Sequence, residues 1–313
     1  MNKDNKGNPK IPATIPTNPK PSITEKIAAG LVKRPQYWEH KGDFGHGLLI
    51  AGSYGMAGAC IMAAQAALRS GIGKLSILSP NCNRQIIQTA VPQAMYSMNP
   101  TTKSNYYWNT KINNINSYEA VAVGPGLNTH QETLIALKEL LINVSEHSKP
   151  LIIDADALNI ISQQTSLLKL IPKNSILTPH YGELQRLVGK CPTYTDALHK
   201  ATDLALKISS VIILKGWHST IINTNGEIIY NSTGNSGMGT GGSGDVLIGI
   251  LLSLRAYGYS AWDAARLGTF LHGRAGDISA KSLTSISMNA LDIINYLPNA
   301  WKSIISHTKT PDL

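Results

Sequence analysis

The chain has 313 residues, 42% hydrophobic and 15% charged, which describes an ordinary globular protein with enough apolar material for one large α/β domain or two small ones. Its longest apolar stretch, "VLIGILLSL" (Val246–Leu254), is too short to span a bilayer, and its three far-apart cysteines (Cys60, Cys82, Cys191) exclude a disulfide framework or a C-x-x-C zinc site. The net charge of +9 is scattered without a tight Lys/Arg block. Small phosphorylated ligands account for it as well as nucleic acid does, and a merely basic proteome accounts for it better than either.

Residues 1–20, "MNKDNKGNPKIPATIPTNPK", are rich in Lys, Asn and Pro and predict a disordered tail. With no apolar block there, no secretory leader is expected, and the protein is read as cytoplasmic, with no membrane or nucleic-acid partner. "GLLIAG" (Gly47–Gly52) predicts a buried strand, and "AGACIMAAQAALRSG" (Ala57–Gly71) a helix closed by glycine. The small residues all round this helix predict tight packing between neighbours. Lys74–Ser79, Ala120–Gly124, Pro150–Asp154, Ser175–Thr178 and Val211–Lys215 predict further strands. Each is a continuous apolar run, as strands covered on both faces require. "HSTIINTNGEIIYN" predicts a hairpin in which Asn225 and Gly226 both take positive φ. Helices are predicted over Asp245–Tyr257, Ser260–Ser279 and Asn289–Ile305. Such strand–helix alternation predicts a mainly parallel sheet with helices on both faces, in one domain over residues 21–313.

Ligands of such sheets bind at the carboxyl ends of the strands. Here those ends carry Ser53 with "YGMAGA", then "PGLN", "ADALN", "PHYGE" and "GWHS", a pattern of one site assembled from many loops. The stretch "GTGGSGD" (Gly239–Asp245) contains G-x-G-x-x-G, yet no strand runs into its first glycine. A dinucleotide fingerprint, and with it a Rossmann oxidoreductase, is therefore disfavoured. Glycines running into a helix start instead make an anion site from free N–H groups. Asp245 in that first turn is either a helix cap or a base that deprotonates a hydroxyl attacking a phosphate. The repulsion between carboxylate and phosphate favours the base.

At this point "HKGDFGHGLLIAGS", "MAGACIMAAQAALRSGIGKL", "AVGPGL", "IIDADALN", "ILTPHYGEL", "ILKG" and "GTGGSGDVLIG", in this order, resemble the ADP/ATP-dependent NAD(P)H-hydrate dehydratase branch of the ribokinase-like superfamily, from about His40 onward. The resemblance implies a three-layer α/β/α ribokinase-like fold. It also implies a repair lyase that uses ADP (ATP in some members) to dehydrate the S-epimer of hydrated NADH or NADPH, releasing AMP and phosphate. Asp245 would be the base, and Gly241, Gly242, Ser243 and Gly244 the anion hole. Ala59, Gly126, His180 and Asp245 match substrate-binding positions; His180 has a second reading as a cap of the helix at "YGE". Lys215, Gly216, Trp217, His218 and Ser219, with Gly244, match the nucleotide segment. Glu183 and Asp154 are candidate Mg²⁺ ligands, directly or through water, with Glu183 equally explained as a first-turn acid. Tyr181 and Ser219 depart from the family pattern, where Pro and Thr are expected. The resemblance also implies a homo-oligomer, often a tetramer. With little chain ahead of His40, no epimerase activity is expected. The competing readings are an ATP-dependent kinase of a hydroxymethylpyrimidine or hydroxyethylthiazole alcohol, sharing the glycine loop and Asp245, and a silent nucleotide-binding protein.

Overall fold

A computed structural model describes residues 21–97, 105–112 and 114–305, so the predicted tail lies outside the described residues. Its elements in chain order are β1 (Ser22–Ile23), α1 (Glu25–Leu31), β2 (His46–Ile50), α2 (Ala57–Arg69), β3 (Lys74–Leu78), α3 (Arg84–Ala90), β4 (Met95–Ser97), β5 (Ala120–Val123), α4 (Gln131–Glu146), β6 (Leu151–Ile153) and α5 (Ala155–Gln163). There follow β7 (Ile176–Leu177), α6 (Tyr181–Val188), α7 (Tyr194–Ile208), β8 (Val211–Leu214), β9 (Thr220–Ile222), β10 (Ile228–Asn231), α8 (Ser243–Ala256), α9 (Ala261–Leu283) and α10 (Ala290–Ile305). They form one sheet ordered β1-β10-β9-β8-β7-β6-β5-β2-β3-β4. Only β9 runs against its neighbours, β8 and β10. The predicted, mainly parallel sheet is the observed one.

Why the strands are apolar throughout is plain from their register. Leu48 pairs with Val121 and Val121 with Leu151, and these side chains join the core built with α4 to α7. Their chain neighbours Leu49, Ala122 and Ile152 point the other way, into the core shared with α2, α8, α9 and α10. A strand residue therefore meets a helix layer on either face, and each fully buried Leu or Ile contributes about 1.5–3 kcal/mol. Ala63, Ala64, Ala66 and Ala67 of α2 are fully buried, as its small-residue composition predicts.

Two local features differ from expectation or add to it. Only Gly226 of the hairpin has positive φ, at 85°. Gly226 N–H donates to Asn223 O, and Asn223 N–H to Glu227 O, so the loop has three residues and needs one left-handed position instead of two. At the other end of the chain, Ile23 is fully buried in β1, which pairs with β10, and α1 rests on α9 and α10. The stretch ahead of His40 thus contributes to the sheet and its helical layer. Among the described residues, no helix is long and apolar enough to cross a membrane.

Candidate active site

Because β2, β5, β6, β7 and β8 are parallel, the residues that follow them are brought to one edge of the sheet. Asp154, directly after β6, is 1% exposed. Such a buried carboxylate requires a partner, and it has one: Lys215, directly after β8, places Nζ 2.6 Å from Asp154 Oδ1 and 3.7 Å from Glu183 Oε2. Burial alone would push the Lys215 ammonium down, but Asp154 and Glu183 together hold it above its ordinary value. Burial raises the Glu183 carboxyl despite the nearby Lys215.

His180 opens α6 through a reciprocal cap. Its Nδ1 accepts from the N–H groups of Gly182 (3.0 Å) and Glu183 (3.2 Å), while Glu183 Oε2 accepts from His180 N–H at 2.8 Å. Burial, then Lys215 and Arg186, push the imidazole down to about 4, so it is neutral at neutral pH. With Nδ1 an acceptor, the ring proton sits on Nε2. The cap reading of His180 is thus the observed one, and the same ring, on the lining of the cleft described below, keeps a neutral N–H on Nε2.

The glycine loop ends in α8, which begins two residues earlier than predicted, at Ser243. Its cap is Gly242, left-handed at φ 92°, and no side chain caps this end. Its positive φ demands glycine, and a Cβ there, 2.4 Å from Met62 Sδ, would also displace the Met62 side chain. Ser243 N–H donates to Thr240 O at 3.4 Å and Val246 N–H to Gly242 O, which leaves the N–H groups of Gly244 and Asp245 for an anion. Asp245 is thus no cap. Burial first, then repulsion from Asp154, raise its carboxyl to about 7 against the pull of Lys215. A Cβ built on Gly244 would lie 3.5 Å from Lys215 Nζ and 3.6 Å from Asp154 Oδ2, which puts loop, cation and carboxylate in one corner.

A cleft of about 640 Å³ opens at this corner, lined by His180, Lys215, Gly216, Trp217 and Ser219 on one side and Ser243 and Gly244 on the other. Trp217 is exposed and stacks on His218, with ring centroids 4.8 Å apart. His218 itself is not part of the lining; its Nδ1 stands 3.2 Å from Asn231 O. Gly241 and Gly242 shape the loop without lining the cleft. Ala59 and Gly126 lie outside it and meet each other: a Cβ on Gly126, at φ 60°, would come within 3.1 Å of Ala59 Cβ. Asp245 does not line the cleft; its charge acts on Asp154 and Lys215 and on the buried thiol of Cys60, next to Ala59.

Tyr181 turns away from the cleft, its buried hydroxyl donating to Cys191 O. Ser219 lines the cleft. Among the described residues, no group of three or more His, Cys, Asp and Glu is arranged to hold a metal. Glu183 has Oε2 on the α6 cap and Oε1 3.4 Å from His180 Nε2, whereas Asp154 keeps Oδ2 toward Gly244. Sequence reasoning missed Thr233, Asn235, Met238, Thr269 and His272, which also line the cleft. The first three sit in "STGNSGM", which reads only as a break before the glycine loop. Thr269 and His272 sit inside α9, where a helical pattern hides them.

The profile of the NAD(P)H-hydrate dehydratase family matches residues 47–299. The ADP-dependent (S)-NAD(P)H-hydrate dehydratase of Neisseria meningitidis is 36% identical over 78% of this chain and 80% of its own length. The crystal structure of the ADP/ATP-dependent NAD(P)H-hydrate dehydratase of Bacillus subtilis, co-crystallised with ATP/Mg²⁺, aligns with a TM-score of 0.76 and 28% identity, covering 91% of this chain and 98% of that one. A hydroxyethylthiazole kinase of Pyrococcus horikoshii, at 13% identity over 86% of this chain and 93% of its own, with a TM-score of 0.60, shares the ribokinase-like fold alone. The chain spans about half the length of the first curated relatives it matches, which are bifunctional NAD(P)H-hydrate repair enzymes.

Proposed function

Since the chain belongs to the NAD(P)H-hydrate dehydratase family, we propose that it dehydrates the S-epimer of hydrated NADH or NADPH at the expense of ADP, giving AMP and phosphate. The observation that carries this reading is the corner where the Lys215–Asp154 pair, 2.6 Å apart, meets Gly244 at the uncapped start of α8, with Asp245, its carboxyl raised to about 7, in that helix's first turn. A base is most effective when its pKa lies near the working pH. In the proposed step, the ring hydroxyl oxygen attacks the terminal phosphorus of ADP, its proton passes to Asp245, and AMP leaves. The phosphorylated oxygen then departs as phosphate, expelled by the ring-nitrogen lone pair, and the neighbouring ring carbon loses a proton to restore the double bond. Hydroxide is a poor leaving group, and phosphorylation removes that obstacle.

The other roles follow from position. The N–H groups of Gly244 and Asp245 at the α8 start would face the charge that builds on the transferred phosphoryl group. Lys215 would meet the same charge from the end of β8. Gly216, Trp217 and Ser219 would hold the rest of the nucleotide along the cleft, with His218 supporting Trp217 from behind. Ala59 and Gly126 would receive the hydrated cofactor on the far side of Asp245, with His180 Nε2–H meeting it from the cleft. The donor set fits a Mg²⁺ carried in on the nucleotide: Asp154 Oδ2 is a hard oxygen facing Gly244, and Mg²⁺ usually takes one or two carboxylates besides waters and phosphates. Such an ion would neutralise phosphate charge. Glu183, committed to the α6 cap, would act at most through water.

The kinase reading shares the glycine loop and Asp245, but the hydroxyethylthiazole kinase resembles this chain in fold alone. The test mixes the protein with hydrated NADH, Mg²⁺ and either ADP or ATP and follows the near-ultraviolet absorbance of reduced nicotinamide. Recovery of absorbance, with AMP formed in step, is expected with ADP. A flat trace with both nucleotides would refute the dehydratase reading and leave the kinase one.

A further inference from the structure

α9 supplies the cleft with one imidazole, His272, whose Nε2 stands 3.3 Å from the Oγ of Ser243, the first residue of α8. Burial pushes this ring down to about 4, with Lys215 acting the same way and the Ser243 backbone opposing, so at neutral pH it carries a single N–H. Its position is braced from the same helix. Asp277, five residues on, accepts from Gly234 N–H at 3.0 Å and from Asn235 Nδ2 at 3.1 Å, which ties α9 to the loop leading from β10 to the glycines.

A serine hydroxyl has one proton to give. If Ser243 gave it to the imidazole, its lone pairs would face the phosphate subsite and repel the ligand. If the imidazole donates instead, the hydroxyl proton is released toward the cleft, in line with the N–H groups of the α8 start. We propose that His272 is a positioning residue: by donating Nε2–H to Ser243 Oγ it turns the Ser243 hydroxyl proton toward a phosphoryl oxygen of the bound nucleotide. The assignment rests on the nucleotide-binding reading of the cleft and concerns how that site is tuned.

The test is a double-mutant cycle with Ser243→Ala and His272→Ala, read in kcat/KM for ADP and, separately, in the Kd for ADP by calorimetry. Each single variant is expected to lose about tenfold, as for a hydrogen bond to a charged ligand, and the double variant no more than either alone. His272→Gln, whose amide donates from about the same place, is expected to recover most of the loss, and the shorter His272→Asn is not. A packing role would lower the unfolding midpoint, give multiplicative losses in the double variant and leave His272→Gln as poor as His272→Asn; that result overturns the assignment. Should His272→Ala fail to fold, the Gln and Asn variants still decide it. The calorimetric cycle needs no turnover, so a flat absorbance trace with coupled ADP binding would refute the dehydratase reading alone. Recovered absorbance with uncoupled losses would refute the role of His272 alone.

Discussion

In the proposed mechanism Asp245 would carry the chemistry because of where burial puts it. The same carboxyl on an exposed helix start would ionise in the ordinary acid range and make a poor base near neutrality. Asp245→Asn is expected to lower turnover by about 100- to 10,000-fold while ADP Kd changes little, since the loop N–H groups remain. In the wild type, kcat/KM should rise with pH through about 7, as the base must first lose its proton. Stability should move the opposite way. The folded protein holds this proton to about 7, whereas the unfolded chain releases it near the ordinary Asp value, so between these limits the folded state binds more protons and loses stability as pH rises. Thermal melts should therefore show the advantage of the Asp245→Asn variant over the wild type growing as pH rises from the ordinary Asp value to about 7. An unchanged or shrinking difference would mean that Asp245 is solvated.

At the scale of elements, His180 caps α6 and in the proposed function would also bind the hydrated cofactor, two jobs that substitution can separate. Asparagine is among the best caps and keeps an acceptor for the N–H groups of Gly182 and Glu183, but lacks the ring that reaches the cleft. His180→Asn should thus melt close to the wild type and bind hydrated NADH more weakly. His180→Ala should lose both, at a cost of about 1 kcal/mol in denaturant titration. Substrate affinity in His180→Asn equal to that of the wild type would confine His180 to capping. The sequence made α6 and the cap legible, because "TPHYGEL" puts an acceptor three residues ahead of a glutamate. It left the choice between cap and ligand open, since two nitrogens on one ring permit both. Likewise it placed α8 from its apolar run but missed that Ser243 and Gly244 belong to it. A helix begun by a left-handed glycine has no side-chain signal at its start.

Across the whole molecule, Lys215 joins distant parts of the chain, with Asp154 at the end of β6 and Glu183 in α6. Lys215→Met should destabilise the fold by about 3–5 kcal/mol, as buried carboxylates are left without a cation; a loss under about 1 kcal/mol would mean that water compensates. The sequence by itself determined the parallel sheet, because strands buried on both faces must be apolar at every position, and the glycine loop ahead of α8, whose turn uses the positive φ of Gly242. It determined the family through motifs in a fixed order. Only the tertiary structure decided which strand ends meet, and with them the Lys215–Asp154 pair, the raised carboxyl of Asp245 and the approach of His272 to Ser243. These depend on burial and on the distance between segments far apart in the chain, and neither quantity is carried by local periodicity or propensity.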